Sequence, residues 1–147
     1  MADVKKELAG MLNKALELEH AARIQYLAHA QLVKGANAEK IVERLEEIAS
    51  DEAKHEEMFR NLVGSYLGGE PTMGMAAVHR AQELDDILTV NRKNEKEAID
   101  FYKAIYKKAC DNKDALPYVF ERIEHDVRHV ILDEEEHVVE LSLLLGE

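Results

Sequence analysis

Two short stretches carry residue types that could grip a metal ion. Glu52 and His55 lie three apart in SDEAKHEEMF (Ser50–Phe59), and Glu134 and His137 lie three apart in DEEEH (Asp133–His137). Residues three apart on a helix sit one above the other on the same side. A carboxylate and an imidazole so placed can hold one ion from a single turn. With 21 Glu and 7 His in 147 residues, the pattern Glu-x-x-His is expected about once by chance. It occurs three times; the third case, Glu17 and His20, falls off the apolar seam of its segment and is read as solvated.

Four amphipathic segments position these groups. Asp3 is placed to N-cap a first helix running to about Lys34, with the seam Leu8, Leu12, Ala15, Glu19, Ala22, Tyr26, His29 and Val33. Gly35–Asn37 makes a short link to a second, antiparallel helix over about Ala38–Leu67, with the seam Ile41, Leu45, Ile48, Glu52, His55, Phe59, Leu62 and Tyr66. The third helix, about Ala81–Cys110, has the seam Leu84, Leu88, Asn91, Glu95, Ala98, Tyr102, Ile105 and Ala109. The fourth, with Pro117 in its first turn and an end near Glu147, has Phe120, Ile123, Val127, Val130, Glu134, His137, Leu141 and Leu144.

Between the second and third helices, Gly68 to about Arg80 shows no period. That segment could reach about 43 Å extended, against about 45 Å for a thirty-residue helix. The expectation is an all-α four-helix bundle of one domain over residues 1–147, with a long crossover that leaves helices two and three parallel.

Each helix therefore carries one glutamate near the middle of its apolar stripe: Glu19, Glu52, Glu95 and Glu134. A buried carboxylate without a partner costs several kcal/mol, and four in one core would repel one another. Two divalent cations would neutralise them. Nitrogen and oxygen donors in this ratio suit iron, manganese or zinc over magnesium or calcium. The halves also repeat: Glu19, Ala22 and Tyr26 recur as Glu95, Ala98 and Tyr102, displaced by 76, and Glu52/His55 recur as Glu134/His137, displaced by 82.

The net charge of −11 argues against nucleic acid as a partner and suits cations. The single cysteine, Cys110, permits no internal disulfide and no rubredoxin-type centre, and the chain shows neither a signal-peptide core nor a membrane span. A cytoplasmic, soluble protein is expected.

The ligand pattern, one Glu from each of two helices and Glu-x-x-His from each of the others, resembles that of ferritin-like di-iron carboxylate bundles. LEHAARIQY (Leu18–Tyr26) together with SDEAKH is most similar to bacterioferritins, over nearly the whole chain. The resemblance implies a ferritin-like bundle with two iron ions per chain on Glu19, Glu52, His55, Glu95, Glu134 and His137. Glu52 and Glu134 would bridge, and Tyr26 and Tyr102 would orient carboxylates by hydrogen bonds.

It also implies ferroxidase activity, with Fe(II) oxidised by O₂ or peroxide, iron handling or storage, and a homo-oligomer, dimer or larger. Ala53 stands where the family's haem-binding Met would be, so no haem is expected, and with ten residues after His137, where the family's cages usually carry a short fifth helix, a 24-subunit shell is not the expectation. Rubrerythrins are a second resemblance. They imply a peroxidase, or another di-iron oxidase, drawing on an external electron-donor protein, but they carry a Glu where this chain has Ala98. A reading of another class is a non-catalytic metal-binding or interaction bundle.

Three weaker features complete the set. His125 and His129 stand off the fourth seam and are read as solvated, His29 as a satisfied boundary residue. Asp51 and Asp133 precede the two seam glutamates and are placed to hydrogen-bond a histidine of the paired helix.

Overall fold

A computed structural model describes residues 3–147. The described residues form an all-α bundle: α1 (Val4–Ala30), α2 (Ala38–Asn61), α3 (Leu84–Asp111) and α4 (Phe120–Leu144). A π-helical turn over Leu62–Tyr66 extends α2, and a 3₁₀ turn over Lys113–Ala115 precedes α4. Asp3 caps α1 by accepting from Lys6 N at 3.3 Å. None of the described helices is long and apolar enough to cross a membrane.

α1 pairs with α2 and α3 with α4 as two hairpins, and α1 lies against α3. Side-chain contacts run antiparallel along that last pair, from Gln25 with Asn91, through Glu19 with Tyr102, to Glu7 with Lys108. The crossover strap between Tyr66 and Leu84 climbs α1 in the same direction as α1 itself. Asn13 donates to Glu70 O and accepts from Thr72 N, Thr72 Oγ1 donates to Glu17, His20 Nδ1 meets Gly74 O, and His79 N donates to Gln25. Since α2 descends and the strap ascends, α3 must descend too. Helices α2 and α3 are therefore parallel, as the length of the strap implies.

Several element ends differ from the sequence reading. α1 stops at Ala30, where Gln31 N and Leu32 N tighten onto Ala28 O and His29 O. The end of α2 is not α-helical: Leu67 N reaches back five residues to Leu62 O, a π spacing. Gly68 turns the chain at φ +70°, and Gly69 passes so close to Ala9 and Val63 that a Cβ would lie 3.2 Å from the Ala9 methyl. α3 begins at Leu84, not Ala81, because Glu83 is extended, and Asp85 and Asp86 then fill the first turn, where negative charge is favoured. Pro117 lies outside α4: Tyr118 is left-handed at φ +68°, which no helix accommodates, so the helix starts at Phe120.

The core falls into two apolar clusters. One gathers Leu8, Leu12, Leu16, Phe59, Leu62, Ile105, Ile123 and Val127, and the other Tyr26, Leu45, Ile48, Ile87, Leu88 and Leu141. Burying each Leu or Ile stabilises by about 1.5–3 kcal/mol. The glutamates and histidines of the seams lie between these two layers and are held in place by them.

Candidate metal centre

All six seam residues converge. Glu19, Glu52, His55, Glu95, Glu134 and His137 are each at most 2% exposed. They form two overlapping tetrads, Glu19–Glu52–His55–Glu134 and Glu52–Glu95–Glu134–His137, in each of which one donor atom per residue lies within 4.8 Å of the others. Glu52 and Glu134 belong to both. The sharing follows from the repeat: α1 and α3 supply one glutamate each to opposite ends, while α2 and α4 face each other across the middle.

His55 Nδ1 stands 3.2 Å from Glu52, 3.3 Å from Glu134 and 3.6 Å from Glu19. His137 Nδ1 stands 2.9 Å from Glu95, 3.1 Å from Glu134 and 3.6 Å from Glu52. The outer nitrogens are tied crosswise. His55 Nε2 pairs with Asp133 of α4 at 2.8 Å, and His137 Nε2 with Asp51 of α2 at 2.9 Å. A carboxylate accepts only, so it fixes the proton on Nε2 and turns Nδ1 inward as the donor atom for a cation. Each Asp immediately precedes the glutamate of its own helix, which puts it within reach of the opposite histidine.

Tyr102 donates to Glu19 at 2.8 Å and is held edge-on against Phe59, with ring centroids 5.2 Å apart. Its repeat partner differs. Tyr26 is equally buried, but its hydroxyl has no partner, so the symmetric role the sequence suggests is filled on one side alone.

The electrostatics show what such a site needs. Burial and the charge on Glu134 push Glu19 up to about 7 and Glu95 up to about 8, against the pull of the nearby histidines. Burial pushes Glu52 well above the usual range, with Glu134 next in effect. Glu134 alone is held low: burial opposes its charge, but the imidazoles of His137 and His55 beside it outweigh that cost. Burial acts against the charge on His137 too, yet Glu134 and Glu95 hold its pKa at about 11, and Glu19 and Asp133 likewise raise His55. Protons thus stand in for positive charge. Even so, Glu19 Oε2, both Glu52 oxygens, Glu134 Oε1 and His55 Nδ1 have no hydrogen-bond partner, although buried polar atoms are paired in the great majority of cases. All five atoms belong to the tetrads. This donor set fits cations.

The fold is shared with known proteins. The model of the ferritin-like domain matches residues 9–147. The chain belongs to the ferritin family.

Its fold is that of ferritin-like di-iron carboxylate proteins from Bacillus anthracis, with a TM-score of 0.89, 28% identity and 99% coverage of both chains. A bacterioferritin from Desulfovibrio desulfuricans matches at TM-score 0.84 and 24% identity, over 97% of this chain and 80% of that one. The bacterioferritin-related dodecameric thioferritin of Bacteroides fragilis matches at 0.82 and 24%, over 97% and 86%. No curated protein matches the sequence.

The remaining sequence-marked residues fall as follows. His125 and His129 are about half exposed and stack on each other, and His129 Nε2 lies 3.4 Å from Asp133. His29 is buried outside both tetrads, where Asn91 Nδ2 meets its Nδ1 at 2.9 Å and burial lowers its pKa. Glu17 and His20 are not simply solvated. They hold the strap, and His20 also sits 3.5 Å from the buried Glu56, which is ion-paired to Arg23. Sequence reasoning missed this latch and the Gln25–Asn91–Asn94 amide cluster. The available signal was the spacing of Asn13, Glu17 and His20 along one polar face of α1.

Proposed function

We propose that the two tetrads hold a pair of iron ions and that the protein is a ferroxidase serving iron handling. The observation that carries this reading is the sharing of Glu52 and Glu134 between two otherwise separate donor sets, each closed by an inward Nδ1. Glu19 and His55 would complete one position and Glu95 and His137 the other. Manganese and zinc satisfy the same donors, and availability decides between them.

Iron ions held by these residues would supply the two electrons with which O₂ or peroxide is reduced. The protein's own residues do the rest. Asp51 and Asp133 accept from the Nε2–H groups of His137 and His55 and keep the imidazoles oriented. The Tyr102 hydroxyl steadies one oxygen of Glu19, leaving the other free to face a cation. The apolar layers on either side limit water. Glu19, Glu52 and Glu95, which burial keeps protonated, would release those protons when a cation binds.

Self-association is part of the proposal. Ile24 and Leu27 of α1 and Val78 of the strap are 40–44% exposed on one side of the bundle, and the Bacteroides fragilis relative is dodecameric. The activity is tested by mixing Fe(II) with aerated protein and following ferric absorbance in the near ultraviolet. Oxidation well above the buffer rate, abolished in Glu52→Ala, is expected. Oxidation at the same rate in the variant would remove the site from the reaction.

A further inference from the structure

α4 carries a second pair of histidines that the buried centre does not use. His125 and His129 lie four apart in HDVRH (His125–His129), off the apolar seam of the helix. Their side chains are 53% and 51% exposed, whereas every residue of the two tetrads is at most 2% exposed. Two histidines four apart on one helix face have the spacing that holds zinc. Here the two rings lie nearly parallel, at 14°, with centroids 6.1 Å apart.

Each imidazole also has a carboxylate on one of its nitrogens. His125 Nδ1 meets Oδ1 of Asp126 at 2.9 Å, and Asp126 is itself buried, with Arg122 on the same oxygen at 3.4 Å. A carboxylate accepts only, so the proton sits on Nδ1 of His125 and Nε2 keeps a free lone pair. His129 Nε2 faces Asp133 at 3.4 Å, which leaves its Nδ1 as the second donor. The device that orients His55 and His137 is thus repeated at the surface. The flanking arginines are engaged, Arg122 with Asp126 and Arg128 with Glu124 at 2.6 Å, so neither sets an unpaired positive charge beside the pair. With metal–nitrogen bonds of about 2.1 Å, two donors on one ion can be no more than about 4.2 Å apart. Rotation of two half-exposed rings one turn apart brings them there without moving the backbone.

We propose that His125 and His129 form a third metal position, an open surface site at which two imidazoles and water hold an exchangeable divalent transition-metal ion. Imidazole donors suit zinc, nickel or copper, and Fe(II) stands low in the order of affinities for such a pair. The site is additional to the ferroxidase reading and does not depend on it, because none of its donors belongs to a tetrad.

The test uses the full chain without an added histidine tag, ¹⁵N-labelled at histidine and titrated with zinc by calorimetry and by NMR of the ring nitrogens. Three zinc ions per chain are expected, two that withstand a competing chelator and one that it removes. Binding of the third should shift the His125 and His129 ring signals together. His125→Ala and His129→Ala should each weaken that ion at least tenfold, since losing even an outer partner of a ligand costs about 10–100-fold, while the two tight ions remain. His79→Ala, which removes another exposed histidine, should leave the third ion as it is. Absence of a third ion overturns the proposal, as does a third ion that survives both substitutions on α4 or is lost equally in His79→Ala. The same titration separates the two claims. Two tight ions without a third sink this inference alone, and zinc on His125 and His129 without tight uptake upholds it while sinking the buried centre.

Discussion

Replacing Asp133 by Asn should weaken one metal position and spare the other. Asp133 belongs to neither tetrad; it acts on the centre through His55, whose Nε2 it meets at 2.8 Å. That bond holds the Asp133 carboxyl below its ordinary range and helps raise His55, so it is charge-assisted. Exchanging a charged acceptor for an amide loses about 1–2 kcal/mol, since bonds to charged groups are roughly twice as strong as neutral ones. The Asp133 side chain is 31% exposed, so solvent screening places the loss toward the lower figure, about 1.4 kcal/mol or tenfold in affinity. Loss of an outer carboxylate on a ligand histidine typically costs 10–100-fold. The position served by Glu95 and His137 rests on Asp51 instead and should keep its affinity. Zinc titration followed by calorimetry with a competing chelator should thus resolve two classes of site in Asp133→Asn, one near wild type and one about tenfold weaker. Asp51→Asn should give the mirror result. Equal weakening of both ions, or no change in either, would refute the crossed arrangement.

The metal-free protein should lose stability as pH rises. Glu19 and Glu95 have folded pKa values of about 7 and about 8 against 4.5 for the free residue, so over that window the folded state keeps protons the unfolded chain has released. His137 adds stability that is full below its ordinary 6.5 and fades as pH rises toward about 11. Glu134 has the opposite sign, and its contribution is lost only as pH falls below its usual range. Urea melts should therefore show higher stability at pH 5.5 than at pH 8 by several kcal/mol, a trend that saturating zinc reverses; higher metal-free stability at pH 8 would contradict the assignment.

Glu52→Gln should raise the metal-free melting temperature, because it replaces a fully buried carboxyl, whose charge burial and then Glu134 disfavour, by a neutral amide, while abolishing two-ion binding; a lower melting temperature would mean that Glu52 is a structural acceptor. Gly69→Ala should cost about 1–2 kcal/mol in a denaturant melt, since its methyl would press on Ala9 at 3.2 Å and Val63 at 3.3 Å, and a neutral result would mean that the strap gives way freely.

The site was legible in the sequence because its residues interrupt strong apolar seams. A glutamate in line with Leu, Ile, Val or Ala three and four residues away is placed on the buried face, and the spacing of Glu52 with His55 and of Glu134 with His137 then fixes which face they share. The repeat between Glu19–Tyr26 and Glu95–Tyr102 carried the pairing of the hairpins, and the length of the strap carried its direction. What periodicity could not reveal is contact between polar surfaces. Asn13, Glu17 and His20 look like an ordinary wet face, yet they hold the strap by hydrogen bonds that leave no apolar signature. The π turn at Leu62–Tyr66 is hidden for a related reason: its Leu62 and Tyr66 fit an α-helical seam equally well, and the backbone spacing alone distinguishes them. The difference between Tyr26 and Tyr102 depends on which hydroxyl lies within reach of a glutamate, which no spacing rule specifies.

The most direct test of the central claim is a crystal structure of the chain loaded anaerobically with Fe(II), with an anomalous difference map at the iron edge. Two peaks are predicted, one among Glu19, Glu52, His55 and Glu134 and the other among Glu52, Glu95, Glu134 and His137, with the Glu52 and Glu134 carboxylates between them. A map without iron at these positions, or with one ion that leaves a tetrad unused, would contradict the account.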